Sequence, residues 1–376
     1  MWSEVPLDQL GYVSRGRSRH RPRNDPVLYG GVHPFIQTGD VKAAGLRITT
    51  HSQTYGEAGL AQSRLWPENT LCITIAANIG DTALLSYPAC FPDSIIGFVG
   101  DERKCDVRFV KYCFDMVQER MRMVSQGATQ DNLSQDKLLR FGIPCPPLET
   151  QVAIGDMLSA YDDLIETNRR RIALLEESAR LLYREWFVNL RFPGYETALL
   201  RDGLPDGWRR VRLDQALFLQ RGFDLPHGSR VEGEVPVYAS TGVGGFHNEA
   251  RVKGPGVVTG RSGTLGVVHY VYDDYWPLNT ALWVKEFRRV SPIVAFFMLA
   301  ELNLAQFNSG ASVPTLDRKV VHGEWVIIPP IDVMKLFEQY AEPVFKQLTT
   351  LQNANKQAGH ARDELLPKLM SGAIRV

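Results

Sequence analysis

Two long stretches of the chain carry apolar residues at alternating spacings of four and three. The first runs Ile154, Leu158, Tyr161, Ile165, Asn168, Ile172, Leu175, Ala179, Leu182, Trp186. The second runs Ala341, Val344, Leu348, Leu351, Asn355, Ala358, Arg362, Leu365, Leu369. This is a heptad seam, and it predicts coiled-coil helices. At about 1.5 Å per residue, residues 154–186 make a rod on the order of 50 Å long. A lone helix of that length cannot bury its own stripe, whereas two in one chain can bury each other in antiparallel packing. The second seam is weaker: Pro343, Gly359 and Pro367 are expected to kink it or fray its end. Each seam holds one Asn, and a polar residue at a core position lowers stability while setting register and partner.

The rest of the chain alternates short β-branched runs with single helical stretches. LCITIAANIGDTALLSY and PGVVTGRSGTLGVVHYVY read as strands broken by Gly, Asn and Ser. Each is followed by a predicted helix, VRFVKYCFDMVQERM in one case and SPIVAFFMLAELNLAQF in the other. The chain also repeats itself. WSEVPLDQ from Trp2 matches WRRVRLDQ from Trp208 at five positions, and Gly127, Ala128, Leu133, Pro146 and Pro147 match Gly310, Ala311, Leu316, Pro329 and Pro330. Little else between these landmarks agrees. A shared frame with two independent fillings is the result, each filling a small mixed α/β domain. At each Pro pair a strand hands over to a long helix, because Pro holds the preceding residue extended.

Composition narrows the function classes. With 42 basic and 42 acidic residues the net charge is zero, so no overall basic charge marks a nucleic-acid binder. Residues 148–190 carry 5 basic and 8 acidic residues, which leaves the flanking regions for basic patches. The five cysteines show no C-x-x-C spacing and read as reduced thiols of a cytoplasmic protein. Neither a leader peptide nor a membrane span is expected. The eight His show no metal-type pairing. The Pro pairs read CPPL and IPPI and lack the Asn or Asp of an amino-methyltransferase loop. One enzymatic pattern stands out: Asp93 after Pro92, then Glu102-x-Lys104, as in nucleases where two carboxylates hold Mg²⁺ and a lysine positions water. A solvated loop after a strand explains it as well.

The segments PPLETQVAIGDMLSAYDDLIETNRRRIALLEESARLLYREWF (146–187), LPDGW (204–208) and ELLPKLMSGAIRV at the C-terminus resemble the specificity (S) subunits of Type I restriction–modification systems. With the repeat landmarks, the resemblance covers nearly the whole chain. It implies target-recognition domains at 1–147 and 208–330 and spacer helices at 148–190 and 331–370. A linker at 191–207 and a tail at 371–376 complete the chain. The resemblance further implies that the two helices pair as an antiparallel coiled coil, with a pseudo-two-fold internal repeat. Each domain would read one half of a split duplex-DNA target, and the helices would set the unread gap and dock two methyltransferase (M) subunits. S-adenosylmethionine would be held by the M subunits, and ATP and Mg²⁺ by restriction (R) subunits where present. This chain would have no catalytic residues, metal or cofactor of its own. The alternatives are a stand-alone Mg²⁺-dependent nuclease using Asp93, Glu102 and Lys104, and a coiled-coil scaffold with no DNA role.

Residue type and context nominate the DNA contacts. In the first half, Arg15, Arg17 and Arg19 alternate in SRGRSRHRPR, with Arg21 and Arg23 beyond them, as a cationic strip for phosphate. Gln37, Thr38 and Lys42 are candidates near base edges, as are Gln126 and Gln130 in the repeated Gly-Ala loop. In the second half the candidates are Arg221 beside Gly222, Ser240, Thr241, His247, and Arg261 with Ser262 on a Gly-rich turn.

Overall fold

The computed structural model describes residues 2–126 and 133–376, with 124–126 as backbone only. The chain divides into two compact units. The first comprises residues 1–171 and 351–376; the second comprises 172–350. Each unit therefore takes part of both long helices.

In the first unit, β1 (Ser3–Val5) and the single turn α1 (Leu7–Leu10) lead into β2 (Gly11–Arg15). Next come β3 (Tyr29–Phe35), α2 (Thr38–Ala43), β4 (Arg47–Ile48), β5 (Gln53–Tyr55) and α3 (Glu57–Gln62). Then follow β6 (Leu71–Thr74), β7 (Thr82–Leu85), β8 (Ile95–Gly100), α4 (Val107–Gln126), α5 (Gln135–Leu138) and β9 (Ile143–Cys145). The main sheet has the order β2-β8-β6-β7-β4. Its central strand β6 is buried on both faces, and the two-residue period of a strand splits its side chains between two cores. Leu71 and Ile73 face Phe109, Val110 and Phe114 of α4; Cys72 faces Trp66, Phe91 and Ile95.

The second unit repeats this plan. A small hairpin, β10 (Leu200–Arg201) and β11 (Leu204–Pro205), precedes β12 (Arg209–Arg212), α7 (Leu213–Ala216) and β13 (Leu217–Arg221). The strands β14 (Val235–Ala239), β15 (Gly242–His247), β16 (Gly256–Gly260), β17 (Val268–Val271), β18 (Trp276–Pro277) and β19 (Ala281–Phe287) follow. They lead to α8 (Pro292–Glu301), α9 (Arg318–His322) and β20 (Trp325–Ile328). The sheet order β13-β19-β16-β17 matches β2-β8-β6-β7, strand for strand. The predicted helix over 291–307 is interrupted: Asn303 takes a left-handed φ of 46° and only a 3₁₀ turn, Leu304–Phe307, continues beyond it.

In both units a strand near the start of the domain pairs with its last strand and closes the fold. β1 runs antiparallel to β9, with Val5 opposite Ile143; β12 runs antiparallel to β20, with Arg212 opposite Trp325. The Pro pairs follow at once, and the long helices α6 (Leu148–Tyr183) and α10 (Ile331–Met370) begin immediately after them.

Within the first unit, α6 and α10 run antiparallel: Asp162 meets Arg362, and Asn168 meets Asn355. Within the second, Trp186, in a π turn at the end of α6, packs edge-on against Phe337 and Tyr340 of α10. The seam positions Ile154, Leu158, Ile165, Asn168, Trp186, Leu348, Leu351 and Leu369 are buried. Tyr161, Ile172, Leu175, Leu182, Val344, Asn355 and Leu365 are half-buried. The expected break of the second seam does not occur: α10 is one helix through Pro343, Gly359 and Pro367. Both prolines lie on the exposed face, while Ala341, Phe345, Leu348 and Leu369 stay buried beside them. That burial outweighs the roughly 3 kcal/mol penalty of a helical proline. No helix among the described residues is long and apolar enough to cross a membrane.

Candidate nucleic-acid interface

A shared element of the frame lies where two equivalent strands end. Arg15 closes β2 and Arg221 closes β13, and both are exposed. Each is followed by a glycine pressed against backbone. A side chain at Gly16 would collide with the Phe91 and Pro92 carbonyls; one at Gly222 would collide with those of Leu278 and Pro277. The amide of Gly16 donates to the Ile95 carbonyl and that of Gly222 to the Ala281 carbonyl. The Arg-Gly step is thus part of the duplicated scaffold, and it sits at the spacing that relates Trp2 to Trp208.

In the first unit the arginine strip keeps its alternation past the end of β2. Arg15, Arg17 and Arg19 are exposed, while Gly16 and Ser18 are buried between them. The end of α3 and the residue after it hold the strip in place. Gln62 Oε1 accepts from the Arg19 and His20 amides, and Ser63 Oγ donates to the Arg17 carbonyl. Arg21 folds back onto the Ser18 and His20 carbonyls, and Arg23 grips Asp93 through two 2.9 Å bonds, so these two leave the strip.

Beside the strip is a feature the sequence reading missed. The Arg64 guanidinium lies 4.7 Å from the Tyr12 ring centroid and 4.4 Å from that of Trp66, and its Nη1 donates to Tyr12 Oη at 2.6 Å. Hydrogen bonds from Ser14 and Arg64, with the Arg64 and Arg17 charges, lower the Tyr12 pKa. The signal was present: Arg64 and Trp66 are two apart in an extended segment and so share a face.

Gln37, Thr38 and Lys42 form a separate cluster on α2. Gln37 caps that helix and donates to Gln53 at 2.5 Å, Thr38 opens it, and Lys42 reaches Asn78 at 3.3 Å. No hydrogen bond or ion pair among the described residues joins this cluster to the strip. Gln130 lies outside the described residues, as does the side chain of Gln126.

In the second unit, β19 brings Arg221 and Arg261 together at its start. Arg221 lies opposite Leu282, and the Arg261 and Ser262 amides both donate to the Thr280 carbonyl. Arg261 Nε is tied to the Asn279 carbonyl at 2.8 Å, and Arg221 approaches Asp224 at 3.5 Å. Burial, and then the like charge of Arg221, lower the Arg261 pKa, with Asp224 offsetting part of the effect. Thr241 is exposed. Ser240 and His247 are buried, and His247 Nδ1 accepts from the Val231 amide at 3.0 Å.

The nuclease pattern does not assemble. Asp93 precedes β8 and Glu102 follows it, so the strand's six residues, at about 3.3 Å each, hold them roughly 20 Å apart. Asp93 is neutralised by Arg23, and Lys104 binds the Gln9 carbonyl. Among the described residues no cluster of His, Cys, Asp or Glu could hold a metal ion.

The type I restriction modification DNA specificity domain matches residues 1–177. The type I restriction enzyme MjaIX specificity subunit of Methanocaldococcus jannaschii is 24% identical over 100% of this chain and 94% of its own length. The EcoprrI specificity subunit of Escherichia coli is 21% identical over 93% and 88%. In fold, the S subunit of a type I restriction-modification system from M. genitalium superposes with a TM-score of 0.67 at 17% identity, covering 98% of this chain and 96% of that one. The duplicated frame, the helix pair and these relatives agree: residues 1–177 match the type I restriction modification DNA specificity domain, and the chain is similar over nearly its whole length to type I restriction enzyme specificity subunits, whose fold it shares.

Proposed function

We propose that each unit reads one half of a bipartite duplex-DNA target, and that the α6–α10 pair sets the unread gap between the halves. The observation that carries this reading is the Arg-Gly step, delivered to the same end of the same sheet in both units by an otherwise divergent sequence. A common anchor with different surroundings suits one backbone read over two unlike half-sites. Arg15, Arg17 and Arg19 in one unit, and Arg221 in the other, supply phosphate contacts. Arg261, Ser262 and Thr241 would read base edges, as would Gln37, Thr38 and Lys42 in the first unit.

The chemistry belongs to partners. Two M subunits dock on the helices and use S-adenosylmethionine to methylate adenine. R subunits, where present, use ATP and Mg²⁺ for translocation and cleavage. The complex works in the cytoplasm. Co-purification with an M subunit followed by mapping of methyladenine tests the reading. Methylation confined to one split, asymmetric motif is the expected result; one continuous motif, or no M partner, overturns it.

A further inference from the structure

Several surface arginines of the first unit are held by carboxylates. Arg23 is paired with Asp93, Arg108 with Asp106 and Asp156, and Arg122 with Asp81 and Glu119. Arg64 differs. Its charge meets no carboxylate among the described residues; instead it is fixed by two rings and one phenol oxygen. Trp66 is fully buried and stacked on Phe91 at 4.9 Å, so the platform beneath the guanidinium is rigid. Tyr12 stands in β2, three residues before the strand-end Arg15, and Ser63 next to Arg64 ties this segment to the arginine strip.

Fixing a long side chain carries a rotamer-entropy cost, which a single charge contact to phosphate from a flexible side chain avoids. Bidentate reading of a base requires such fixing, because two N–H groups must meet two acceptors in one plane. Guanine, with O6 and N7 on its major-groove edge, is the base whose edge fits an arginine fork. One Nη1 proton of Arg64 is used on Tyr12, and the remaining N–H groups are available to a ligand.

We infer that Arg64, pre-organised by Tyr12 and Trp66, reads a guanine in the half-site bound by the first unit. The inference rests on the bipartite reading above, and the test separates the two. The full-length chain, in the complex with which it purifies, selects its target from a pool of randomised duplexes, as wild type and as Arg64→Ala, Arg64→Lys and Tyr12→Phe. At one G·C position of one half-site, Arg64→Ala and Arg64→Lys should both lose about 10- to 100-fold of discrimination. The other half-site should be unchanged, and Tyr12→Phe should lose less at the same position.

Lysine keeps the charge and the ring contact, so a structural or phosphate role would be rescued by Arg64→Lys; such rescue overturns the inference. An unaltered motif in Arg64→Ala also overturns it while leaving the bipartite reading intact. A wild-type chain that selects no split motif removes that reading and this inference together. Thermal unfolding of each variant reports whether the first unit has folded.

Discussion

Asn168 donates through Nδ2 to Oδ1 of Asn355 at 2.9 Å, with only 3% of Asn168 exposed, while Asn355 Nδ2 reaches the Ile165 carbonyl at 3.3 Å. The two seam asparagines therefore satisfy each other, one from each helix. Leucine at both positions should raise the melting temperature of the first unit, since an apolar pair buries better than an amide pair. Leucine at one position alone should cost about 1–3 kcal/mol, because the surviving amide loses its partner. Denaturant unfolding of the three variants checks both signs.

A second polar cluster lies further along the same helices. Asp162 is buried, accepts from Tyr112 Oη at 2.6 Å and is paired with Arg362. Burial works against the Arg362 charge, but Asp162 and Asp363 outweigh it and hold the guanidinium above its ordinary pKa. Burial, with the Asp162 charge, pushes the Tyr112 phenol up, so it stays a donor. Asp162→Ala should destabilise the first unit by about 3 kcal/mol, since it strands a partly buried cation. Asp162→Ala combined with Arg362→Met should recover much of that loss in the same unfolding measurement.

The equivalence of Arg15 and Arg221 predicts matched effects. Arg15→Ala and Arg221→Ala should each weaken binding to every duplex alike, lowering the slope of log K against log salt by about one. The preferred motif should stay the same. A salt titration of DNA binding reads the slope, and a changed motif would mean that either residue reads bases.

His322 predicts a pH dependence of the second unit. It is buried, its Nε2 accepts from the Leu219 amide at 2.9 Å, and burial lowers its pKa below the ordinary 6.5. The unfolded chain then binds the proton more readily than the folded one. The associated stability is present above about pH 6.5 and is lost as pH falls below that value. Thermal melts between pH 5 and pH 8 should show the loss in the wild type, and a much flatter profile in His322→Gln.

Seven residues inserted at matching points of α6 and α10 add two helical turns, about 10 Å, to each. The unread gap of the methylated motif should lengthen while both half-sites stay the same. An unaltered gap would remove the spacer role from the helices.

The seams were legible because burying one stripe of a long helix imposes a strict spacing, as from Ile154 to Trp186. The duplicated frame was legible because strand closure needs the same residues twice, at Trp2 and Trp208 and at both Pro pairs. What escaped depended on contacts distant in sequence. Asp162 and Arg362 are 200 residues apart, and no local pattern announces their pairing. Arg64 had only the two-residue spacing to Trp66 to mark it, and its other partner, Tyr12, is 52 residues away. Ser240 and His247 are buried although they are polar, and the His247 ring satisfies the Val231 amide. Asp93 and Glu102 misled because nearness in sequence is not nearness in space when a strand lies between them.

The second unit is a single stretch of chain, 172–350, but the first is not complete without 351–376, which bring it Asn355, Arg362 and Leu369. On the ribosome the order of synthesis and the order of completion are therefore reversed. The portion made earlier must wait for residues 351–376 before its core is whole; the portion 172–350 has everything it needs sooner. A nascent chain cut short anywhere before residue 351 leaves its earliest-made half unfinished.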